Sequence, residues 1–254
     1  MPLSFVAILA VVQGLTEFLP VSSKTHLLFA RHFLGRGPDL FFDITLHVGS
    51  LLAILVYYRR RWVELFRERR SELGRLALGS LPAVVAAVLF KSRIEALYAD
   101  LRVASGLLLV TGFFLWGAER LGRERFALAE TPWGRVFWIG AAQACALLPG
   151  ISRSGSTIGA GFLAGLRRED AVRFSFFLGA VAIAGALVFK GRDALRGEGE
   201  IHALPILLGV AITFAVSLLA IRAVEILSLK GRLSIFAAYC AAAGAAGLVL
   251  FARG

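Results

Sequence analysis

Two polar stretches of similar make-up interrupt apolar runs in opposite halves of the chain, QGLTEFLPVSSKTH at residues 13–26 and QACALLPGISRSGST at 143–157. In each, a proline is followed three residues on by serine and four on by a cation: Pro20, Ser23 and Lys24 in the first, Pro149, Ser152 and Arg153 in the second. A glutamine precedes each proline, Gln13 by seven residues and Gln143 by six. A proline breaks a helix and leaves backbone groups without partners, which apolar surroundings tolerate only where protein or a watery cavity encloses them. A chain with two such breaks is constrained to shelter both, and the pair reads as two halves of one site.

The surroundings are those of a membrane protein. Hydrophobic residues make up 58% of the 254, above the ~45–50% of soluble domains. The net charge of +11 falls in short arginine clusters between apolar runs, as in loops at a lipid surface, which argues against a nucleic-acid partner. Cys145 and Cys240 lie in apolar segments without metal-ligand spacing and read as small core residues. Residues 3–12 have no lysine or arginine before Lys24 and no small-residue cleavage pattern, so they are expected to be retained rather than removed as a signal peptide.

Crossing a bilayer takes about 20 helical residues. The apolar pieces beside each proline, 3–12 and 21–33 in the first half and 136–148 and 156–166 in the second, are too short, and each pair is expected to re-enter the face it came from. Crossings are expected at 41–58, 76–90 and 103–118, then at 174–189, 203–221 and 233–252, with Pro82 and Pro205 in corresponding middle spans. The expected fold is therefore an all-α integral membrane domain. It is built as an inverted-topology repeat, 1–119 and 135–254, each half a re-entrant helix pair plus three transmembrane helices. An odd number of crossings inverts the second half. Charge agrees: with the arginine-rich stretch 59–75 in the cytoplasm, seventeen of the 28 lysines and arginines lie in loops on that side and nine on the other. Inverted repeats with broken helices place their site near the midplane, where the halves meet.

Ionisable groups at that depth are costly, which makes Glu17, Lys24, His26 and Arg153 functional candidates. The hydroxyls of Ser22, Ser23, Ser152, Ser154, Ser156 and Thr157 keep them company, and PGISRSG offers backbone N–H groups, with Gly155 among them, at the start of a helix expected from Ser156. Hydroxyls, a guanidinium and a helix N-terminus together suit phosphate oxygens. Glu17 is read first as a ligand of a hard cation such as Mg²⁺ completed by substrate oxygens, and otherwise as a general base. Gln13, one turn earlier on the same face, would orient substrate or a metal-bound water. His26, three residues after Ser23, is placed to take a proton from its hydroxyl or from water. Asp43 and His47, one turn apart, are expected to form either an outer polar layer or a mutual hydrogen bond, and Gln143 is expected in the same outer layer. His32 and His202 fall in or near loops and are expected to be solvated. Gly155, Gly159, Gly161 and Gly165 have the spacing of close helix packing.

At these residues the chain resembles the undecaprenyl-diphosphate phosphatase family, the bacitracin-resistance proteins of bacterial membranes, and the likeness runs over nearly its whole length. The family's first motif, a Glu or Gln, three residues, then Glu, is matched by Gln13 and Glu17, followed by Ser22, Ser23 and His26. Its PGxSRSG signature is matched by residues 149–155, with Arg153 as the phosphate-binding arginine and Thr157 just beyond. Gln13 stands where many members have Glu, and Lys24-Thr25 where a Thr-Gly or Ser-Gly pair is common; Asp43 occupies a position expected to be acidic. The resemblance implies hydrolysis of undecaprenyl diphosphate to the monophosphate carrier lipid of peptidoglycan synthesis, with bacitracin resistance and dependence on Mg²⁺ or Ca²⁺. It also implies a multi-pass protein of the bacterial inner membrane with its site towards the outer side. Ser23, His26 or water remain as attacking groups, a homodimer is allowed, and a transporter that flips a phosphorylated polyprenyl lipid is the alternative on the same scaffold.

Overall fold

The computed structural model describes residues 2–37, 39–97, 100–195 and 203–252. His202 lies outside them. Among these residues the helices are α1 (Leu3–Thr16), α2 (Ser23–Phe33), α3 (Leu40–Tyr57), α4 (Arg59–Arg67), α5 (Arg70–Leu89), α6 (Lys91–Leu97), α7 (Leu101–Leu121), α8 (Trp133–Cys145), α9 (Arg153–Leu163), α10 (Arg168–Leu195), α11 (Ala203–Leu229) and α12 (Ser234–Leu250). The protein is an all-helical integral membrane protein. α5, α7, the Arg168–Phe189 part of α10, and α11 are each long and apolar enough to cross a bilayer, and α3 with α4 makes a fifth candidate, bent by 72°. α12 has 17 residues, about 25 Å of helix, a little short of the span expected there.

The proline-broken pairs form where the sequence places them. α1 and α2 have 14 and 11 residues, α8 and α9 have 13 and 11, and the turns between them hold Pro20 and Pro149. α9 starts at Arg153, three residues before the expected Ser156, because Ser152 is its N-cap: the Ser152 Oγ accepts the Gly155 N–H at 3.1 Å. At the α3–α4 break the sequence turns from LFFDITLHVGSLLAILVY to RRRWVELFR, a stretch too rich in arginine to favour hydrocarbon. Glu225 of α11 holds the corner. It accepts from the Tyr57 hydroxyl at 2.6 Å and from the Tyr58 hydroxyl, while Trp62 stacks on Phe177 with centroids 4.3 Å apart.

Apolar side chains such as Phe113, Trp138, Val188 and Val249 face outward, and Gln13, Thr25, Ser50, Ser105, Thr213 and Ser217 are buried. That is the distribution lipid selects. Where lipid tails are as apolar as leucine, helices associate through close packing and small residues rather than by leaving water. A Cβ on Gly140 of α8 would fall 2.5 Å from the Gly79 carbonyl oxygen of α5, and one on Gly49 of α3 would fall 2.6 Å from the Val210 carbonyl of α11. The spaced glycines of α9 act the same way at Gly159, against Phe114 and Ala118 of α7. α10 carries Phe174, Phe176, Phe177 and Leu178 into the core. Cys240 is buried as expected, but Cys145 is exposed, because it occupies the outward face at the end of α8 rather than a packed one. His32 sits in the last turn of α2, next to the loop, and is exposed as expected, its ring edge-on to Phe251 at 5.0 Å.

Candidate active site

Glu17 ends α1 in helical conformation, its N–H bonded to the Gln13 carbonyl, so the Gln13 side chain at i−4 lies on the same face. The Gln13 Nε2 donates to Glu17 Oε2 at 3.0 Å. The turn through Pro20 reverses the chain, and Ser22, at φ 68°, passes it into α2. Ser23 then stands first in α2, and its hydroxyl donates to the same Glu17 Oε2 at 2.7 Å. From the other half, Arg153, first in α9, donates from Nη2 to Glu17 Oε1 at 2.8 Å. His47 of α3 brings Nε2 to 3.7 Å from Oε2. One carboxylate, 8% exposed, thus joins residues from both motifs and from α3.

Two devices hold the halves in register. The Ser154 hydroxyl of the second motif donates to the Leu19 carbonyl of the first at 3.0 Å, and a Cβ on Gly155 would stand 3.3 Å from Pro20. Beneath the second turn, the Ser152 N–H donates to the Thr111 hydroxyl, which donates to the Gly150 carbonyl. Arg153 lies across α10: Nη1 donates to the Ser175 carbonyl at 3.3 Å, and the guanidinium occupies the space left by Gly179, where a Cβ would fall 1.7 Å from Nη1.

Other candidates point elsewhere. His26 sends Nδ1 to the Ser22 carbonyl at 2.8 Å and Nε2 to the Tyr239 hydroxyl at 2.7 Å. A carbonyl only accepts, so Nδ1 carries the proton and Nε2 accepts from the phenol. Both ring nitrogens are engaged away from Ser23, whose proton is directed at Glu17 instead. Ser22 pairs with the Thr25 hydroxyl at 3.0 Å. Ser152 caps α9, and Thr157 donates to the Arg153 carbonyl and pairs with the Ser175 hydroxyl at 2.6 Å. Lys24 is half-buried in the first turn of α2. The His47 Nδ1 bonds the backbone oxygen of Asp43 at 2.7 Å, leaving the Asp43 carboxylate to Arg31 at 2.5 Å. Gln143 is buried on α8.

Among the described residues no three His, Cys, Asp or Glu side chains converge as a metal cage. The Gln13 Oε1 is nevertheless buried without a hydrogen-bond partner. The Gln13 amide turns its nitrogen to Glu17, so its oxygen and the Glu17 carboxylate are the oxygen groups here that could contribute to holding a hard cation, with substrate phosphate completing the set. Sequence reasoning missed Tyr239, Ser175, Thr111 and Gly179. Tyr239 and Thr111 are polar groups within apolar runs, the one signal that marked any of them.

The sequence profile of a family described as bacitracin resistance protein BacA matches residues 6–246. A protein of Rhodopirellula baltica named undecaprenyl-diphosphatase is 42% identical over 245 residues, covering 94% of each chain. Proteins of the same name from Desulfosudis oleivorans and Methanobrevibacter smithii are 38% and 37% identical over 255 residues; each match covers 92% of this chain, and 93% and 92% of those proteins.

Proposed function

Because the chain belongs to the bacitracin resistance protein BacA family, we propose that it is a membrane undecaprenyl-diphosphatase, which hydrolyses the phosphoanhydride of undecaprenyl diphosphate to the monophosphate carrier lipid and phosphate. The observation that carries the reading in the structure is the convergence of Glu17, Ser23 and Arg153 on one buried centre. All three relatives bear the phosphatase name, and none favours a transporter.

An amphiphile with a diphosphate head enters sideways from lipid. Its terminal phosphate exchanges with Glu17 as the partner of Arg153, a charge-assisted contact that a planar guanidinium makes with two oxygens. The N-termini of α2 and α9 add backbone N–H groups and positive dipole ends. Ser23 Oγ attacks the terminal phosphorus as its proton passes to Glu17 Oε2, and the bond from phosphorus to the bridging oxygen breaks, releasing the lipid monophosphate. Water then cleaves the new Ser23 ester and restores the hydroxyl. Glu17 and the Gln13 Oε1 would hold Mg²⁺ or Ca²⁺, which when bound supplies neutralisation of the diphosphate charge. His26, held by Tyr239, positions the start of α2 rather than moving the Ser23 proton.

The wider setting belongs to the same proposal. The two halves form an inverted repeat, supported by matched cross-packing: α1 lies on α11 as α8 lies on α5, the expected equivalents. The protein resides in the bacterial inner membrane with its site towards the outer side; the placement of arginine-rich loops supports the orientation of the helices, and the family membership supports the side on which the site opens. The test is phosphate release from a long-chain polyprenyl diphosphate by purified protein, with and without chelator, beside Ser23→Ala, Glu17→Gln and Arg153→Ala. Each variant is expected to lose at least ~10²-fold in kcat/KM while staying monodisperse; wild-type release from all three would remove the assignment.

A further inference from the structure

At the far end of α9 from Arg153, some 16 Å along the helix, a second charged recess opens. A cavity of about 260 Å³ is lined by Leu121, Arg123, Arg125, Arg135, Leu163 and Gly165. Its walls are fixed by the backbone. The Gly165 carbonyl accepts from the N–H groups of Arg125 and Phe126 at 2.8 and 2.9 Å, and the Phe126 carbonyl accepts from Arg167. Arg135 is anchored by Nη1 to the Ala164 carbonyl at 2.6 Å, with its guanidinium over the Phe126 ring at 4.9 Å. That contact accounts for Arg135 as a complement to the negative end of α9. It does not account for Arg123 and Arg125.

Among the described residues none of the three guanidiniums has an ion-pair partner. The nearby acids are taken: Glu124 by Arg168, Asp170 by Arg173 and the Leu128 N–H, Glu130 by the Ala127 N–H. The rim is apolar, Leu121 being 71% and Leu163 46% exposed, and exposed Trp116, Trp133 and Trp138 stand on α7 and α8, as aromatic side chains do at a bilayer interface. Three guanidiniums, those of Arg123 and Arg125 on exposed residues, and two exposed leucines line one recess, which matches a ligand with a phosphate on one end and hydrocarbon on the other. Basic recesses between transmembrane helices hold anionic headgroups in this way.

We infer that Arg123, Arg125 and Arg135 form a second phosphate-binding site, separate from Glu17, that takes the phosphate of an anionic lipid headgroup at the arginine-rich surface of the membrane. The inference does not depend on the phosphatase reading. Free inorganic phosphate offers the same oxyanion, so both sources enter the test. Delipidated full-length protein is titrated with phosphatidylglycerol, with zwitterionic phosphatidylcholine and with inorganic phosphate. Bound lipid is read by native mass spectrometry, and protection by the unfolding temperature in detergent. The same titrations are run on the exposed-site variant Arg123→Gln/Arg125→Gln. Retention of phosphatidylglycerol over phosphatidylcholine, weakened about 30-fold in the variant, supports the lipid headgroup. Protection by inorganic phosphate alone, lost in the variant, supports the phosphate site but overturns its assignment to lipid. Equal retention of both lipids, or equal binding by wild type and a folded variant, overturns the site. Phosphate release from polyprenyl diphosphate is expected to be unchanged in the variant.

Discussion

Gly179→Ala is the smallest change that separates the position of Arg153 from its presence. The added Cβ would stand 1.7 Å from Nη1, 2.4 Å from Cζ and 2.7 Å from Nη2 of Arg153. Ordinary contact between such atoms begins near 3.5 Å, so the guanidinium must retreat by roughly 2 Å. That shift is larger than the 2.8 Å hydrogen bond to Glu17 can follow. The atoms in the way are the tip of a flexible side chain, so α10 need not move, and alanine gains about 0.5–1 kcal/mol over glycine within a helix. A misplacement of ~1 Å at a reacting centre costs ~10²-fold, and kcat/KM is expected to fall by at least that factor. The unfolding temperature in detergent should fall, though by less than when one partner of the Arg153–Glu17 pair is removed outright, because both charges are still present. Gly185→Ala on the same helix, where nothing lies within 4 Å of the new Cβ, is the matched control and should leave turnover intact. Phosphate release by Gly179→Ala at the wild-type rate, from protein shown to carry the substitution, would refute the placement of Arg153 as the phosphate-binding group.

Glu17→Ala leaves the Arg153 guanidinium without its carboxylate, and breaking a buried pair by removing one partner costs about 3–5 kcal/mol. Turnover should vanish and the unfolding temperature drop together, whereas a loss of turnover without destabilisation would show that the pair is not formed in the resting protein. Tyr239→Phe removes the donor to His26 Nε2 and should cost about 1–2 kcal/mol of stability with at most a few-fold change in kcat/KM; a loss of 10³-fold would mean that this imidazole moves a proton after all. Ser22 has φ 68°, a region that glycine adopts freely, so Ser22→Gly should be no less stable than wild type while Ser22→Ala loses ~1 kcal/mol or more, measured side by side by thermal unfolding. Tyr58→Phe takes one hydroxyl from Glu225 at the α3–α4 corner; the expected loss of ~1 kcal/mol should appear as faster hydrogen exchange in α4, and unchanged exchange there would count against the corner as a clamp.

The meeting of Glu17, Ser23 and Arg153 was legible because charges and hydroxyls beside helix-breaking prolines have few places to go in an apolar chain. The roles of the other hydroxyls were not. Ser152 as an N-cap was within reach, since serine is a favoured N-cap residue, but Ser154 in the same stretch is an equally good cap by type, and the expected start fell later, at Ser156. His26 looked paired with Ser23 from spacing alone. Its ring is in fact claimed by Tyr239, 213 residues away, a contact that no local pattern encodes. Gly179 was silent for the same reason, its meaning resting wholly on a side chain from α9. Helices bounded by lipid on one face and protein on the other are apolar all round, so periodicity places spans well and says little about which face meets which neighbour.

The bond between Arg153 and Glu17 joins residues 136 apart in the chain, and the ribosome makes them in order. At about 5–20 residues per second, some 7–27 s pass between them. Through that interval the first re-entrant loop exists without the cation that neutralises it and without the Ser154 hydroxyl that ties down its Leu19 carbonyl. A charged, half-made loop cannot wait in hydrocarbon. Burying an unpaired carboxylate in apolar surroundings is costly, so the full packing of the Glu17 turn is expected to follow the synthesis of Arg153 and Ser154.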